Sequence, residues 1–362
     1  MKPKYYTLDA ILKYDADYNV IYGERSNGKT TAVLKYGLEN FINSGYQEQF
    51  AIVRRYEEDY KGKNGQQLFD GIIKLGWVEE WTDGLYNSIY YYSQKWYLVW
   101  YDENNERKRM CETPVAYGFA ITSEEHYKST AYPNVKTILF DEFITRSYYL
   151  PEEFVKFQNL LSTIIRLRDD VKIFMCGNTI NKYCPYFTEM GIKEVRKQKK
   201  GTIDLYTYGE STLKVAVEYS DFPAKKKPSN KYFAFNNPKL NMITHGGWEM
   251  DIYPHMPCRC KPSDYKYKFY ILFDDEILQG NIIFADNSDF LYIHRKTTPI
   301  KEDNRNLVYS FKVDHRPWYR QSIMKPYGKV DTYILKLIHK GRVFYQDNEI
   351  GEIMNNYFKE CS

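Results

Sequence analysis

The apolar positions along the chain switch between a period near two and a period near 3.6, marking out alternating strands and helices. Tyr18-Asn19-Val20-Ile21-Tyr22 reads as a strand. From Lys29 the apolar residues Leu34, Leu38 and Ile42 recur at helical spacing with Phe41 beside them, and Asn43-Ser44-Gly45 supplies a stop signal. Phe50-Ala51-Ile52-Val53 suits a strand buried on both faces of a parallel sheet. It ends in Arg54-Arg55-Tyr56, placing basic groups at a strand's carboxyl end, which is the ligand-facing edge of open α/β sheets. Residues 57–80 read as helical in part, with Leu68, Phe69, Ile72 and Ile73 at helical spacing.

From Leu85 to Ile121 the pattern becomes alternating aromatics (Tyr90, Tyr92, Trp96, Leu98, Trp100) around the turn Asp102-Glu103-Asn104-Asn105. That predicts a β-hairpin or meander inserted in the α/β core, its rings on a half-buried sheet face. Val135 to Phe140 is another buried strand. Pro151-Glu152-Glu153 predicts a helix start, and Phe154, Phe157, Leu161, Ile164 and Ile165 form that helix's apolar face as far as Arg166-Leu167-Arg168. Val171 to Cys176 is the next strand, finishing in Gly177-Asn178.

Beyond Lys193 the chain turns basic (Arg196, Lys197, Lys199, Lys200), and residues 202–217 read as a hairpin. The stretch 221–250 has a linker's composition, with Lys225-Lys226-Lys227-Pro228, Asn236-Asn237-Pro238 and Gly246-Gly247. Its lysines are either a solvated face or a contact to nucleic-acid phosphates. From about 251 the chain reads as β-rich, with strands at 267–273, 280–284 and 290–293 and helices around 331–339 and 349–359. The expected division is an α/β domain over 1–205, a linker or lid over 206–250, and a C-terminal domain over 251–362.

The candidate chemistry sits where strands end. Gly23-Glu24-Arg25-Ser26-Asn27-Gly28-Lys29-Thr30 fits G-x-x-x-x-G-K-[ST] between a strand and a helix. In such a loop the glycines let successive N–H groups converge on phosphates, and the positive helix end faces them. Lys29 would reach the β/γ oxygens and Thr30 would ligate Mg²⁺. The nucleotide-binding residues are therefore Gly23, Glu24, Arg25, Ser26, Asn27, Gly28, Lys29, Thr30 and Thr31. The second anchor is the strand ending Phe140-Asp141-Glu142. Asp141 is the expected Mg²⁺ partner beside Thr30, and Glu142 the expected base that polarises the attacking water. An Asp-Glu pair there suits an ATPase better than a nucleotide kinase. Asn178 is placed to sense the γ-phosphate or the water.

Bulk composition narrows the field without deciding it. A chain of 362 residues allows two domains, and its net charge of +4 permits a nucleic-acid partner without demanding one. Its 37 Tyr can sit half-buried at surfaces and interfaces. Six scattered Cys read as reduced thiols, and no apolar signal core or membrane-spanning run is visible, so a soluble intracellular protein is expected. His255, Cys258 and Cys260 could hold a metal, but the Cys-x-Cys spacing and the lack of a second pair speak against zinc. Asp274-Asp275-Glu276 with Asp286 and Asp289 could serve a two-metal nuclease, although the first three fall in a turn.

With these parts in place, the sequence resembles the DNA-packaging ATPases of small tailed bacteriophages, the phi29-type motors. The resemblance rests on Ala131 through Ile144, reinforced by Val53-Arg54-Arg55-Tyr56, by Gly23 to Thr30 and by Arg166-Leu167-Arg168. It covers residues 15 to 185 well and the remainder only in general layout. It implies an α/β fold: a P-loop (ASCE-type) NTPase core with the meander insertion, joined to a smaller α+β domain resembling a vestigial RNase H-type nuclease. It implies ATP and Mg²⁺, and a homo-oligomeric ring of five subunits docked on the portal vertex of a procapsid in the host cytoplasm. The ring would thread double-stranded DNA inward, and a packaging RNA as adaptor is left open. By position Arg166 matches the family's arginine finger, offered to the neighbouring subunit, and Lys128 a second basic residue offered in trans. Arg25 stands where packaging enzymes often carry an Arg. One departure is Glu57, where the family can place a Lys. The competing readings are a large terminase with an active C-terminal nuclease, a helicase, and a scaffold that only binds nucleotide.

Overall fold

Strand β1 (Tyr18–Gly23) lies deep inside a large mixed sheet, and its neighbours decide what it can be used for. The other strands of this sheet are β2 (Gln49–Arg54), β3 (Ser88–Tyr92), β4 (Lys95–Tyr101), β5 (Arg107–Met110), β6 (Ala116–Ala120), β7 (Val135–Asp141), β8 (Lys172–Asn178), β9 (Ile203–Thr207) and β10 (Lys214–Ser220). Their order is β3-β4-β6-β2-β7-β8-β1-β10-β9, with β5 paired to β4. From β6 through β10 every pairing is parallel, and the antiparallel pairs lie at the margins. β8 therefore stands between the strand that leads into residues 23–30 and the strand ending in Asp141.

These observations come from a computed structural model that describes residues 5–145, 148–179, 183–222, 251–256, 258–301 and 306–361. The chain divides into two compact units, Met1–Trp248 and Glu249–Ser362. In the first unit, alternation along the parallel strands gives each face of the sheet its own core. One face packs under helix α1 (Lys29–Asn43), where Leu34, Leu38 and Phe41 meet Phe50, Ile52, Leu139 and Phe174. The helix comes close because Gly37 lies over the Phe50 ring, where a Cβ would sit 2.8 Å from ring carbons. The other face packs under helix α2 (Glu153–Ile165), where Phe157, Leu160, Leu161 and Ile164 meet Tyr22, Val53, Phe140 and Met175. Each such buried side chain contributes about 1.5–3 kcal/mol over the exposed state.

Several expectations need correction. The aromatic meander is present as the antiparallel strands β3, β4 and β5, and it extends the core sheet through β6, which pairs parallel with β2. Residues 63–81 form three short helices, Lys63–Gln67, Asp70–Lys74 and Trp77–Trp81; Gly76, with φ +73, leads into the last. Pro151 precedes rather than opens α2, which begins at Glu153 after Glu152 adopts a left-handed φ of +54. The described residues before β1 form a lead-in that is tied down: Tyr6, Leu8 and Ile11 are buried, with a short helix at Asp9–Leu12. The hairpin read at 202–217 is the β9–β10 pair. It belongs to the large sheet beside β1, so residues 206–220 are part of the first unit's sheet and not of the linker or lid expected from 206. The lysine, Asn-Pro and Gly-Gly segments of 225–247 lie outside the described residues.

The second unit holds β11 (Tyr265–Phe273), β12 (Glu276–Ala285), β13 (Ser288–Arg295), β14 (Val308–Ser310), β15 (Tyr319–Arg320) and β16 (Val343–Tyr345), in the order β15-β14-β11-β12-β13-β16. Helices α3 (Lys329–His339) and α4 (Asn348–Cys361) bury Ile334, Leu337, Ile350, Ile353, Met354 and Tyr357. The turn Asp274-Asp275 joins β11 to β12, whereas Asp286-Asn287 joins β12 to β13. The two acidic groups thus lie at opposite ends of β12, about 30 Å apart at the rise of a strand. They cannot share a two-metal site. Among the described residues no group of three His, Cys, Asp or Glu is arranged to hold a metal ion. Cys258 and Cys260 face each other, Sγ to Sγ 3.7 Å, and His255 is hydrogen-bonding distance from Asn348.

Candidate active site

The carboxyl ends of β1, β7 and β8 and the start of α1 enclose a cavity of about 560 Å³, lined among others by Arg25, Ser26, Asn27, Gly28, Lys29, Thr30, Thr31, Asp141, Glu142 and Asn178. Gly28 turns the loop into α1 with φ +96, a left-handed conformation glycine enters without a Cβ penalty. Gly23 and Glu24 are not part of the lining. They act through their carbonyls, which accept from Lys29 Nζ at 3.4 and 2.6 Å. The same ammonium donates to Asn27 Oδ1 at 3.1 Å and to Asn178 Oδ1 at 3.4 Å. It is buried, and burial pushes its pKa down to about 8, partly opposed by the carboxylates of Asp141, Glu24 and Glu218.

Alternation along β7 sends Asp141 to the α1 face, the side of Leu139. There its Oδ1 accepts from the Thr30 hydroxyl at 2.7 Å and its Oδ2 from Arg54 Nη2 at 2.6 Å. The two residues expected at the magnesium are thus in contact, and a hydroxyl beside a carboxylate is a donor set that suits a hard cation. Glu142 follows with φ +62 and an exposed side chain in the cleft. Asn178 ends β8 opposite Gly23 of β1. Gly177 before it admits no side chain, since a Cβ there would lie 2.8 Å from Phe143 and Ile144.

Arg166 and Lys128 do not line this cleft. Arg166 caps the far end of α2 with φ +55, exposed, its Nη2 donating to Thr130 O at 3.1 Å, which brings it onto the same surface as Lys128. Lys128 is exposed and paired with Glu125 at 2.6 Å. Arg168 is used differently, donating to the carbonyls of Val135, Tyr132 and Ile164 and so fixing the tip that carries Arg166.

Three features escaped the sequence. Arg55 and Glu153 form a buried, two-pronged ion pair at 2.8 Å beside Glu142, which no local spacing announces. Tyr6 ties the lead-in to the loop, donating from its N–H to Asn27 O at 3.4 Å and from its hydroxyl to the buried Glu218 at 2.6 Å. Burial raises the Glu218 carboxyl, which lies behind Lys29. Finally, Lys200 links Glu24 of the loop at 2.6 Å to Asp221 at 3.8 Å.

Comparison with known proteins places this geometry. Residues 107–299, more than half the chain, match the family described as Podovirus DNA encapsidation protein (Gp16). The chain belongs to this family. Among its curated relatives, a DNA packaging protein of Bacillus phage B103 is 29% identical over 279 residues, covering 67% of this chain and 76% of the relative. The DNA packaging protein of Bacillus phage phi29 is 29% identical over 189 residues, about half of each chain, at 51% and 50%. A solved chain from the bacteriophage Phi-29 viral genome packaging motor assembly is alike in fold with a TM-score of 0.56 and 20% identity, covering 99% of this chain and 100% of that one. In this chain residues 23–30, Asp141-Glu142 and Asn178 stand at the carboxyl ends of adjoining parallel strands.

Proposed function

We propose that this protein is an ATP-driven motor that moves double-stranded DNA into a preformed procapsid. The observation that carries the reading is the convergence of Lys29, Thr30, Asp141, Glu142 and Asn178 on one cleft at the carboxyl ends of parallel strands. The loop amides and Lys29 bind and orient the triphosphate, and Asn178 contacts Lys29 from β8. Thr30 and Asp141 would hold Mg²⁺, which would supply positive charge against the negative charge developing on the phosphates. Glu142 orients water for in-line attack and takes its proton.

Of the arginines at the cleft, Arg54 is paired with Asp141 and Arg55 with Glu153, while Arg25 of the loop is exposed on the lining. Arg166 on its rigid, exposed tip, with Lys128 on the same surface, is suited to enter the cleft of a neighbouring copy. An inserted guanidinium raises turnover by about 10³–10⁵. A closed homo-oligomeric ring, five subunits by the resemblance, then lets each site depend on its neighbour. The second unit, read as a vestigial RNase H-type domain, contributes contact to DNA or the portal vertex. The separation of its acidic turns disfavours the nuclease alternative.

The test is a mixing experiment. Arg166→Ala and Lys29→Ala proteins should each bind into assemblies yet turn over little ATP alone. Mixed, they should recover part of the wild-type rate, because an intact Arg166 meets an intact cleft at some interfaces. No recovery in co-assembled mixtures overturns the trans assignment.

A further inference from the structure

We infer that Arg55 is the positioning residue for Glu142, itself held by Glu153. The inference rests on the reading of Glu142 as the base that aligns water. Glu142 occupies a left-handed backbone conformation, φ +62, which a residue with a side chain adopts at a cost and keeps only where its surroundings over-determine it. Arg55 supplies much of that determination. Its Nη1 donates to Glu142 O at 3.3 Å and its Nη2 to Phe143 O at 3.1 Å, so one rigid guanidinium grips two successive carbonyls. Phe143 N–H adds a bond to Cys176 O of β8 at 3.3 Å.

Arg55 is fixed in its turn. Nε and Nη2 donate to the two oxygens of Glu153, each at 2.8 Å, and the guanidinium lies 5.2 Å from the Tyr149 ring centroid. Glu153 also accepts from the Tyr186 hydroxyl at 2.9 Å and from Leu150 N–H at 2.7 Å. Arg55 lines the cleft, yet its Nε and both Nη2 hydrogens are committed to Glu153 and Phe143. It therefore reaches the reaction through Glu142 rather than through the nucleotide. Adjacent Arg54 points to the opposite face of the sheet, which explains why two neighbouring arginines have separate partners.

Replacing the whole pair by apolar residues, Arg55→Met with Glu153→Leu, removes both charges together and so avoids leaving one buried alone. In the full chain with Mg²⁺ and duplex DNA, kcat should fall by about 100-fold, the scale of a 1 Å misplacement. KM and the affinity for a fluorescent ATP analogue should stay within about threefold of wild type. The deciding readout is Glu142→Gln made in both backgrounds. It should abolish turnover in the native protein and cost about threefold or less in the swapped one, because the carboxylate there is already misdirected. Equal loss in both backgrounds overturns the positioning role. An unchanged rate for Glu142→Gln in the native background overturns the reading of Glu142 instead. Should the swapped protein fail to fold, Arg55→Lys keeps a cation for Glu153 but cannot span both carbonyls. It should lower kcat at least about tenfold at unchanged KM, and a kcat within twofold of wild type overturns the inference.

Discussion

Nη2 of Arg54 lies 2.6 Å from Oδ2 of Asp141, so the carboxylate proposed here as a magnesium ligand already carries a cationic partner. Its other oxygen takes the Thr30 hydroxyl at 2.7 Å. Cation and arginine compete for one charge. Arg54→Gln should therefore lower the Mg²⁺ concentration that half-saturates nucleotide binding by roughly fivefold, an energy of about 1 kcal/mol. A Mg²⁺ titration of binding checks this, and an unchanged or higher midpoint would show that Arg54 assists the metal.

Lys29 should make the empty protein less stable at neutral pH than it needs to be. Burial holds its pKa at about 8, against an ordinary lysine value of 10.5. Between those values the unfolded chain binds more protons than the folded one, so stability rises with pH across that window. Below it, the full penalty of a buried ammonium applies. Lys29→Met should raise unfolding free energy at pH 7 by on the order of 1–3 kcal/mol and flatten the rise between pH 8 and 10.5. Nucleotide binding should be lost at the same time. Denaturant midpoints over pH 6 to about pH 10.5 test it; a destabilised Lys29→Met protein would contradict it.

Strain at Glu142 gives an independent check. A left-handed φ costs a side-chain-bearing residue about 1–2 kcal/mol, whereas glycine meets only its entropy cost of about 0.5–1 kcal/mol. Glu142→Gly should accordingly raise stability by up to about 1 kcal/mol while removing turnover. Loss of stability in that variant would mean the conformation is at ease.

What could be read from the sequence followed from locality. The phosphate loop, the strand ending in Asp141-Glu142 and the helix from Lys29 are contiguous, so spacing alone located them. The partners Arg55 and Glu153 are separated by a strand crossover and become neighbours only once β2 and β7 pair in register. The same holds for Tyr6 with Glu218, which depends on β10 returning beside β1. Pro151 and the acids after it mark a helix start in the sequence. Tertiary packing instead buried Glu153 against a guanidinium, which no periodicity encodes. The acidic turns of the second unit looked like a cluster because they are close in sequence. An intervening extended strand separates them.

ATP hydrolysis in the cleft of residues 23–30 and 141–142 is the activity to test first. Steady-state phosphate release should be measured for the full chain with Mg²⁺, duplex DNA and procapsid, wild type beside Glu142→Gln. The expected result is DNA-stimulated turnover in the wild type, reduced by about 100-fold or more in Glu142→Gln with nucleotide binding kept. Absence of turnover in the wild type, or equal turnover in the two proteins, would contradict it.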